Sequence, residues 1–270
     1  MLLSLVLQLR ALQPARIAGS TGRGVHGFWF RHWQQVDPAL ADSLHQGEDV
    51  LPFTLSPLMG LPRPRLGVFE ITLGQPAWFR ATTLTQALSQ ATQEKWVTKL
   101  PDEIDIADTR WQVVKPVLSS PEQHPWAGQA AYSELASARL YTIHPPHKWR
   151  LEFLTPVAFH GTKGHFPFPL PNSLVASWLR RWQAYSPLAL PDDLPERVRQ
   201  EVVISAYQLK TVPVRHGQRL VVGCVGRLEL RALGLHPAER AALDALAAYA
   251  FFAGSGQHTT QGMGLTRLIE

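Results

Sequence analysis

Apolar residues in the first half of the chain follow two spacings. A nearly continuous apolar run over residues 2–9 is typical of a buried strand, and aromatic residues over 22–35 recur at the spacing of a helix. Asp37 and Pro38 predict the start of a second helix that ends near His45, because Asp caps helices and Pro favours their first position. Further strands are predicted at 52–58, 66–73, 96–100 and 110–117, and a weaker helix at 82–93. The order is β-α-β-β-α-β.

The second half repeats this order after a stretch rich in proline. A strand at 149–159 contains Pro156, which predicts an edge strand or a bulge. Asn172 is expected to cap a helix that runs to Trp182. Two long strands, 202–214 and 220–230, are joined by a turn at 216–218. A helix that begins at Pro237 and a strand at 265–269 complete the pattern.

A duplicated β-α-β-β-α-β order predicts the α+β class with two tandem ferredoxin-like domains. We expect an N-terminal domain over residues 1–118, a connecting segment over 119–147 and a C-terminal domain over 148–270. The connecting segment contains a short helical pattern near 132–138.

Composition narrows the function. The 270 residues carry 45% hydrophobic and 17% charged side chains, which describes a globular protein, and a formal net charge of +5 favours a polyanionic partner. A single cysteine, Cys224, excludes an internal disulfide and a cysteine-based zinc cluster. The opening residues are too short and too weakly basic for a signal peptide, and no apolar run reaches the length of a membrane span. A soluble, cytoplasmic protein is expected.

A glycine-rich segment near the end of the chain is the clearest candidate for a binding site. It runs over residues 254–264 between a predicted helix and a predicted strand. Glycine permits positive φ and a close approach to the main chain, and hydroxyl and N–H groups suit phosphate oxygens. We expect phosphate contacts from Gly254, Gly256, His258, Thr259, Thr260, Gly262 and Gly264. The order helix–loop–strand differs from the phosphate loop of nucleotide hydrolases and from the dinucleotide fingerprint.

Several segments in the same order resemble those of the CRISPR-associated endoribonucleases that cut precursor CRISPR RNA within its repeats. They are the glycine-rich segment, Leu44-His45 followed by PFTLSPL at 52–58, FLTPVAF at 153–159, FPLP at 168–171 running into LRRW at 179–182, YQLKT at 207–211, and GCVG at 223–226. The resemblance implies the same duplicated fold, repeat RNA as the partner and no cofactor. Other CRISPR effector subunits are further expected partners, and a homodimer is left open.

The resemblance also implies a catalytic histidine. His45 occupies the position where many members of that family place it, and the end of its helix would favour an imidazolium. His26 stays in play because this position varies in the family, whereas His32 is a weaker candidate. The chain shows no metal-ligand spacing, so a metal-independent reaction with the 2′-hydroxyl as nucleophile and a 2′,3′-cyclic phosphate product is expected.

Basic residues outside the glycine-rich segment are candidates for RNA contacts. Some relatives carry a lysine a few residues after the histidine, but residues 46–51 here are acidic, so Arg23 or Arg31 would have to offset phosphate charge. His258 stands where the family's loop usually has Arg or Lys. Phosphate contacts are further expected from Lys163, Arg180, Arg181, Lys210 and Arg215. A non-cleaving RNA-binding subunit with the same fold remains the alternative.

Overall fold

The computed structural model describes residues 1–46, 50–161, 164–216 and 219–269. Its internal contacts group into two units. The first contains residues 1–129 together with 260–262, and the second contains residues 130–259 and 263–270. The change of unit near residue 129 falls inside the predicted connecting segment.

Within the described ranges the chain forms seven α-helices and fourteen strands. The helices are α1 Gly22–Val36, α2 Pro38–His45, α3 Gln86–Ala91, α4 Tyr132–Leu140, α5 Pro171–Tyr185, α6 Leu194–Glu201 and α7 Pro237–Ala253. The strands are β1 Leu2–Ala11, β2 Ala15–Ala18, β3 Phe53–Leu55, β4 Val68–Ile71, β5 Pro76–Thr83, β6 Glu103–Ile106, β7 Thr109–Leu118, β8 Gly128–Ala130, β9 Lys148–Val157, β10 Phe159–Gly161, β11 Gly164–Phe166, β12 Val202–His216, β13 Arg219–Ala232 and β14 Thr266–Ile269. A π-helical turn, Thr92–Val97, continues α3, and a 3₁₀ turn covers Thr259–Gln261.

The main sheet of the first unit has the strand order β3-β5-β1-β7-β6, with antiparallel neighbours. Its helix-side core is aromatic: Trp29 and Trp33 of α1 are completely buried, and Trp29 packs with Trp33, Phe53 and Trp96. A helical spacing of large apolar residues therefore produces one continuous buried face, as amphipathic helices do.

The main sheet of the second unit has the antiparallel order β12-β13-β9-β14. Its helix-facing side is marked by Trp149, whose Nε1–H donates to Asp244 of α7 at 3.0 Å. The four strands of the β-α-β-β-α-β pattern are β1, β3, β5 and β7 in the first unit and β9, β12, β13 and β14 in the second. In both sheets the spatial order of these four strands is second, third, first, fourth. This shared order confirms two tandem ferredoxin-like folds of the α+β class.

Several element predictions were wrong in the first half. The predicted helix at 82–93 is confirmed by α3 and the start of the π-helical turn, but its first two residues belong to β5. Strand β5 was missed, because its inner residues are buried on both faces and therefore show no alternation. The predicted strand at 96–100 overlaps the π-helical turn. In this turn Trp96 points inward, and its ring lies 4.9 Å from that of Trp29. Residues 15–18, for which no strand was predicted, form β2, which pairs with β4 in a separate two-stranded sheet.

In the second half, the long strands β12 and β13 and the helix α7 confirm the pattern, whereas the short helix α6 was missed. Strand β9 lies inside the sheet and not at its edge; Pro156 is accommodated where the pairing register with β13 shifts, so the bulge was the correct alternative. Asn172 does not cap α5, since the helix starts one residue earlier at Pro171 and its cap position is Leu170. Residues 217–218 of the predicted turn at 216–218 lie outside the described residues.

Candidate ribonuclease site

The candidate site of the first unit is built around His26. Its ring Nδ1 lies 2.9 Å from the main-chain oxygen of Thr260. Because a carbonyl oxygen only accepts hydrogen bonds, Nδ1 carries the proton and donates it. The neutral imidazole then has its lone pair on Nε2, which is the form that can accept a proton from a substrate.

His45 lies beside the same aromatic side chain as His26. The ring of Phe30 is 4.9 Å from the ring of His26 and 4.6 Å from the ring of His45. His26 sits one turn before Phe30 on α1, and His45 is the last residue of α2, so the sharp break at Asp37 brings the two histidines together. The carboxylate of Asp37 fixes this break by accepting from the N–H of Leu40 at 3.2 Å.

The environment keeps His26 neutral. Burial is the largest influence and lowers the pKa of His26 below its ordinary 6.5, and the positive charges of His45 and Arg23 lower it further, although the hydrogen bond to Thr260 acts in the opposite direction. His45, by contrast, is exposed at the last position of α2. The two histidines therefore differ in burial.

Close backbone packing holds residues 260–262 in the first unit. A Cβ on Gly22, the first residue of α1, would lie 2.1 Å from the main-chain oxygen of Gln261, and a Cβ on Gly262 would lie 3.2 Å from the nitrogen of Pro57. Thr21 adds a hydrogen bond, since its hydroxyl accepts from the N–H of Leu58 at 2.8 Å. The PFTLSPL segment and the start of α1 thus form the wall on which this part of the glycine-rich segment rests.

In the second unit the glycine-rich segment serves as a tightly bonded turn. Gly254, Gly256 and Gly264 all have positive φ, and so does His258 at 55°. Gly256 donates its N–H to the Ser177 hydroxyl at 2.9 Å. The other engaged amides belong to Gly254, Ser255, Gln257, Met263 and Gly264, which donate to main-chain oxygens. These N–H groups are therefore directed inward and bonded within the protein.

Arg181, a predicted phosphate contact, is engaged by groups of the protein itself. Its guanidinium donates to the main-chain oxygen of Gly256 at 2.9 Å and to the Thr259 hydroxyl at 3.1 Å. Burial lowers the pKa of Arg181 to about 10. The side chain of Thr259 is itself buried. The polar groups of Arg181 and Thr259 thus point into the protein, and their hydrogen bonds stabilise the conformation of the loop.

The remaining predicted residues are placed as follows. Arg23 is exposed on α1 close enough to influence His26, and Arg180 is exposed on α5. His32 is buried with Nε2 at 2.9 Å from the main-chain oxygen of Trp96, which makes it a core histidine. Arg31 donates to the main-chain oxygen of Asp105. Lys163 lies outside the described residues.

Sequence reasoning missed two features of these sites. The Thr260 carbonyl that orients His26 is a main-chain atom, so no residue type signals it. His165 was not considered either; its ring lies 6.2 Å from that of His258 and 5.3 Å from that of His160. Among the described residues no group of three or more His, Cys, Asp or Glu side chains is placed to hold a metal ion.

Membrane insertion through a helix has no support in the described ranges, where every helix is too short or too polar to cross a bilayer.

Comparison with known proteins identifies relatives over the whole chain. The model of the CRISPR Cas6 N-terminal domain matches residues 1–137, and the model of CRISPR-associated endoribonuclease Cas6 matches residues 151–266. A search of curated protein sequences gave no match.

Solved structures agree with the family models. A Thermus thermophilus Cas6 is 28% identical over 100% of this chain and 98% of its own, with a TM-score of 0.75. The same Cas6 in a product complex is 29% identical over 100% of both chains, with a TM-score of 0.81. A Cas6-related protein from Pyrococcus furiosus shares the fold at 14% identity, with a TM-score of 0.66 over 100% of this chain and 99% of its own.

The two family models together span most of the chain and include both the histidine pair and the glycine-rich segment. This chain belongs to the Cas6 family of CRISPR-associated endoribonucleases, which process CRISPR RNA.

Proposed function

We propose that the chain cleaves CRISPR repeat RNA without a metal ion, with the 2′-hydroxyl next to the scissile phosphate as nucleophile. The 2′-oxygen bonds to phosphorus as its proton leaves, and the bond from phosphorus to the 5′-oxygen breaks as that oxygen gains a proton. The products carry a 2′,3′-cyclic phosphate and a 5′-hydroxyl. Such a reaction requires a general base, a general acid and compensation of charge at phosphorus.

The observation that carries the proposal is the hydrogen bond between His26 and Thr260. It directs the lone pair of a neutral imidazole to Nε2, away from the glycine-rich segment. His26 is the general base in this proposal, because its lowered pKa keeps it unprotonated at neutral pH. His45 is the general acid in this proposal, because it is the second histidine beside Phe30 and is exposed at the end of α2, where it can reach the leaving oxygen.

We expect groups near the histidine pair to stabilise the negative charge that develops at the phosphorus centre. Arg23 is exposed one turn before His26 on α1 and is the proposed stabiliser. For the remaining repeat phosphates we propose contacts from His258, Thr260, Gly262, Lys163 and Arg180. Gly254, Gly256, Thr259, Gly264 and Arg181 act in this proposal by maintaining the loop, since their polar groups are engaged inside the protein.

Two product complexes and a substrate-mimic complex of Cas6 proteins are among the similar structures. They support repeat RNA as the partner of this chain. Association with other effector subunits and formation of a homodimer stay predictions.

The test is cleavage of the cognate repeat RNA in EDTA, with a second RNA that carries a single 2′-deoxy nucleotide at the mapped cut. The proposal expects full activity in EDTA, products with a cyclic phosphate, and no cleavage of the deoxy RNA at equal affinity. Cleavage that stops in EDTA and returns with Mg²⁺, or cleavage of the deoxy RNA, would refute it. A wild-type protein that binds the repeat but never cuts would favour the RNA-binding subunit instead.

A further inference from the structure

The two ferredoxin-like sheets differ on the face opposite their helices. In the first unit this face carries Ser4, Arg80 and Thr82, all of which are at most 1% exposed. Trp126 covers them: its ring lies 5.4 Å from the guanidinium carbon of Arg80, and its main-chain oxygen accepts from the Ser4 hydroxyl at 2.6 Å. The chain's own segment after β7 therefore occupies this face.

The corresponding face of the second sheet is polar and exposed. Side chains alternate between the two faces of a strand, so Leu151 and Leu228 point to the buried side while Glu152 and Arg227 point outward. The pairing aligns Gln208, Arg227, Glu152 and Arg267 in one row across all four strands. A second row aligns Glu229 with Arg150. We call this surface the outer face of the second sheet.

Six cationic residues and two acidic residues lie on the outer face at these alternating positions. The cations are Lys148, Arg150, Lys210, Arg227, Arg231 and Arg267, and the acids are Glu152 and Glu229. The surface therefore carries a marked excess of positive charge.

Each glutamate lies between two cations. Glu152 accepts from Arg227 at 3.2 Å and pairs with Arg267, and Glu229 pairs with Arg150 at 2.9 Å and with Lys148 at 3.6 Å. The glutamate side chains are only 14–15% exposed, whereas those of Arg150 and Arg227 are 55% and 63% exposed. The carboxylates thus orient the cations, and the cations are what the surface presents to solvent.

A groove of about 490 Å³ opens on the same face beside Arg227. Leu154 and Val225 supply apolar lining, and Gln208, Lys210 and Arg227 supply polar groups. The volume lies within the range of roughly 300–1,000 Å³ found for ligand sites. Apolar surface with an amide and guanidinium at its rim suits the flat face and polar edge of an unpaired base.

We propose that the outer face of the second sheet binds a single-stranded segment of RNA, with its arginines on the phosphates and a base in the groove beside Arg227. Guanidinium groups bind phosphate in two-pronged geometry and also stack on bases. A duplex hides its base edges, whereas an unpaired strand can place bases against an open sheet. The first sheet cannot serve in the same way because Trp126 covers it. The proposal rests on the RNA-processing activity of the family and is independent of the roles assigned to His26 and His45.

The test uses the double variant Arg150→Gln/Arg227→Gln and an unstructured oligouridylate as probe. Each glutamate keeps one cation, Arg267 for Glu152 and Lys148 for Glu229, so the sheet retains its ion pairs. The matched control is Arg110→Gln/Arg199→Gln, which removes two similarly exposed arginines, 59% and 60%, that also pair with glutamates. Thermal unfolding of both variants checks that each is folded.

The expected loss of oligouridylate affinity is roughly tenfold for the outer-face variant, as for two exposed ion pairs with phosphate. The slope of log affinity against log salt concentration should fall by about 1.4, since each contact with a single strand contributes about 0.7. The single-turnover rate at saturating repeat RNA should stay unchanged, which separates a failure here from a failure of the catalytic mechanism.

Equal oligouridylate affinity of the outer-face variant and the control variant would overturn the proposal. So would an equal loss of affinity for a blunt RNA duplex, because the surface would then act as a general polyanion site. Retained RNA binding with a selective loss of affinity for an acidic protein partner would assign the surface to protein assembly, and would overturn it as well.

Discussion

The ring of His26 and the main-chain oxygen of Thr260 form a 2.9 Å hydrogen bond although 234 residues separate them in sequence. The glycine-rich segment therefore contacts a candidate catalytic residue directly. Through its backbone it fixes which nitrogen of His26 carries the proton, in the way a carboxylate or carbonyl orients histidines in other acid–base sites. The glycine-rich segment and the candidate acid–base site therefore meet at one carbonyl group.

Replacing either histidine by alanine should reduce the single-turnover cleavage rate at saturating RNA. We expect a loss of roughly 10²–10⁴-fold for His45→Ala and for His26→Ala, the range typical of a lost general acid or base. Affinity for the repeat should stay near the wild-type value in both. His144→Ala is the control, because His144 is exposed and distant in sequence from both sites. A wild-type rate for His45→Ala would leave His26 as the catalytic candidate and make His45 structural.

The pH profile should report the neutral state of His26. Its pKa lies below 6.5, so the base is unprotonated at neutral pH, and its protonation should lower the rate as the pH falls below 6.5. Removing the positive charge of Arg23 lets the pKa of His26 rise, so the acidic limb of Arg23→Gln should move to higher pH. Arg31→Gln is the matched control on the same helix and should leave the limb in place. A limb that moves equally in both variants would contradict the assignment of the base.

Protonation of His26 and His32 should also weaken the fold. Burial is the main cause of the lowered pKa in both, so the unfolded chain binds these protons more readily than the folded chain. Stability is then full above pH 6.5 and declines as the pH falls through the lowered values. Urea unfolding between pH 8 and 5 should show this decline, and His32→Asn should make it smaller. An unchanged pH dependence in His32→Asn would exclude His32 as a contributor.

Long periodic elements were predictable from sequence, and short or doubly buried elements were not. The helices α1 and α7 and the strands β12 and β13 follow from spacing alone. Strand β5 was missed because both of its faces are covered, one by α1 residues and the other by Trp126, which erases the alternation that marks a strand. Its covering segment lies 40 or more residues further along the chain, so no local pattern announces it.

The candidate site divides in the same way. His45 and His26 could be found from a motif, because they are residue types with a chemistry. The roles of Arg181, Gly22 and Gly262 could not, because they depend on which backbone atoms approach each other across the fold. The glycines of the terminal segment were expected to allow a ligand to approach the main chain. At Gly262 the missing side chain instead allows Gly22 and Pro57 of the protein to approach closely.

Gly22→Ala should displace residues 260–262 while leaving His26 and His45 unchanged, so it tests whether the position of the loop affects the cleavage rate. The added methyl group would lie 2.1 Å from the oxygen of Gln261, a backbone atom that can move only with residues 260–262. His26 would lose its carbonyl partner, and a displacement of this kind lowers catalytic rates by roughly a hundredfold. Gly27→Ala on the same helix is the control, since its methyl group meets only the flexible end of Arg31 at 3.2 Å. It should keep the rate and stabilise the helix by about 0.5–1 kcal/mol. Equal rates in the two variants would show that the Thr260 carbonyl does not position His26.

Two neighbouring arginines of α5 should give opposite results. Arg181 donates to Gly256 and Thr259 of the loop, so Arg181→Met leaves these acceptors without a donor and should lower the free energy of unfolding by about 2–3 kcal/mol. Arg180 is exposed on the same helix turn, so Arg180→Met should leave stability within about 0.5 kcal/mol and weaken repeat RNA binding instead. Urea unfolding and RNA titration of both variants measure the contrast. Because the two substitutions are identical in size and charge change, a shared effect on binding with no difference in stability would mean that Arg181 contacts RNA after all. A large loss of stability confined to Arg181→Met would instead establish that the loop is held by the protein before any RNA arrives.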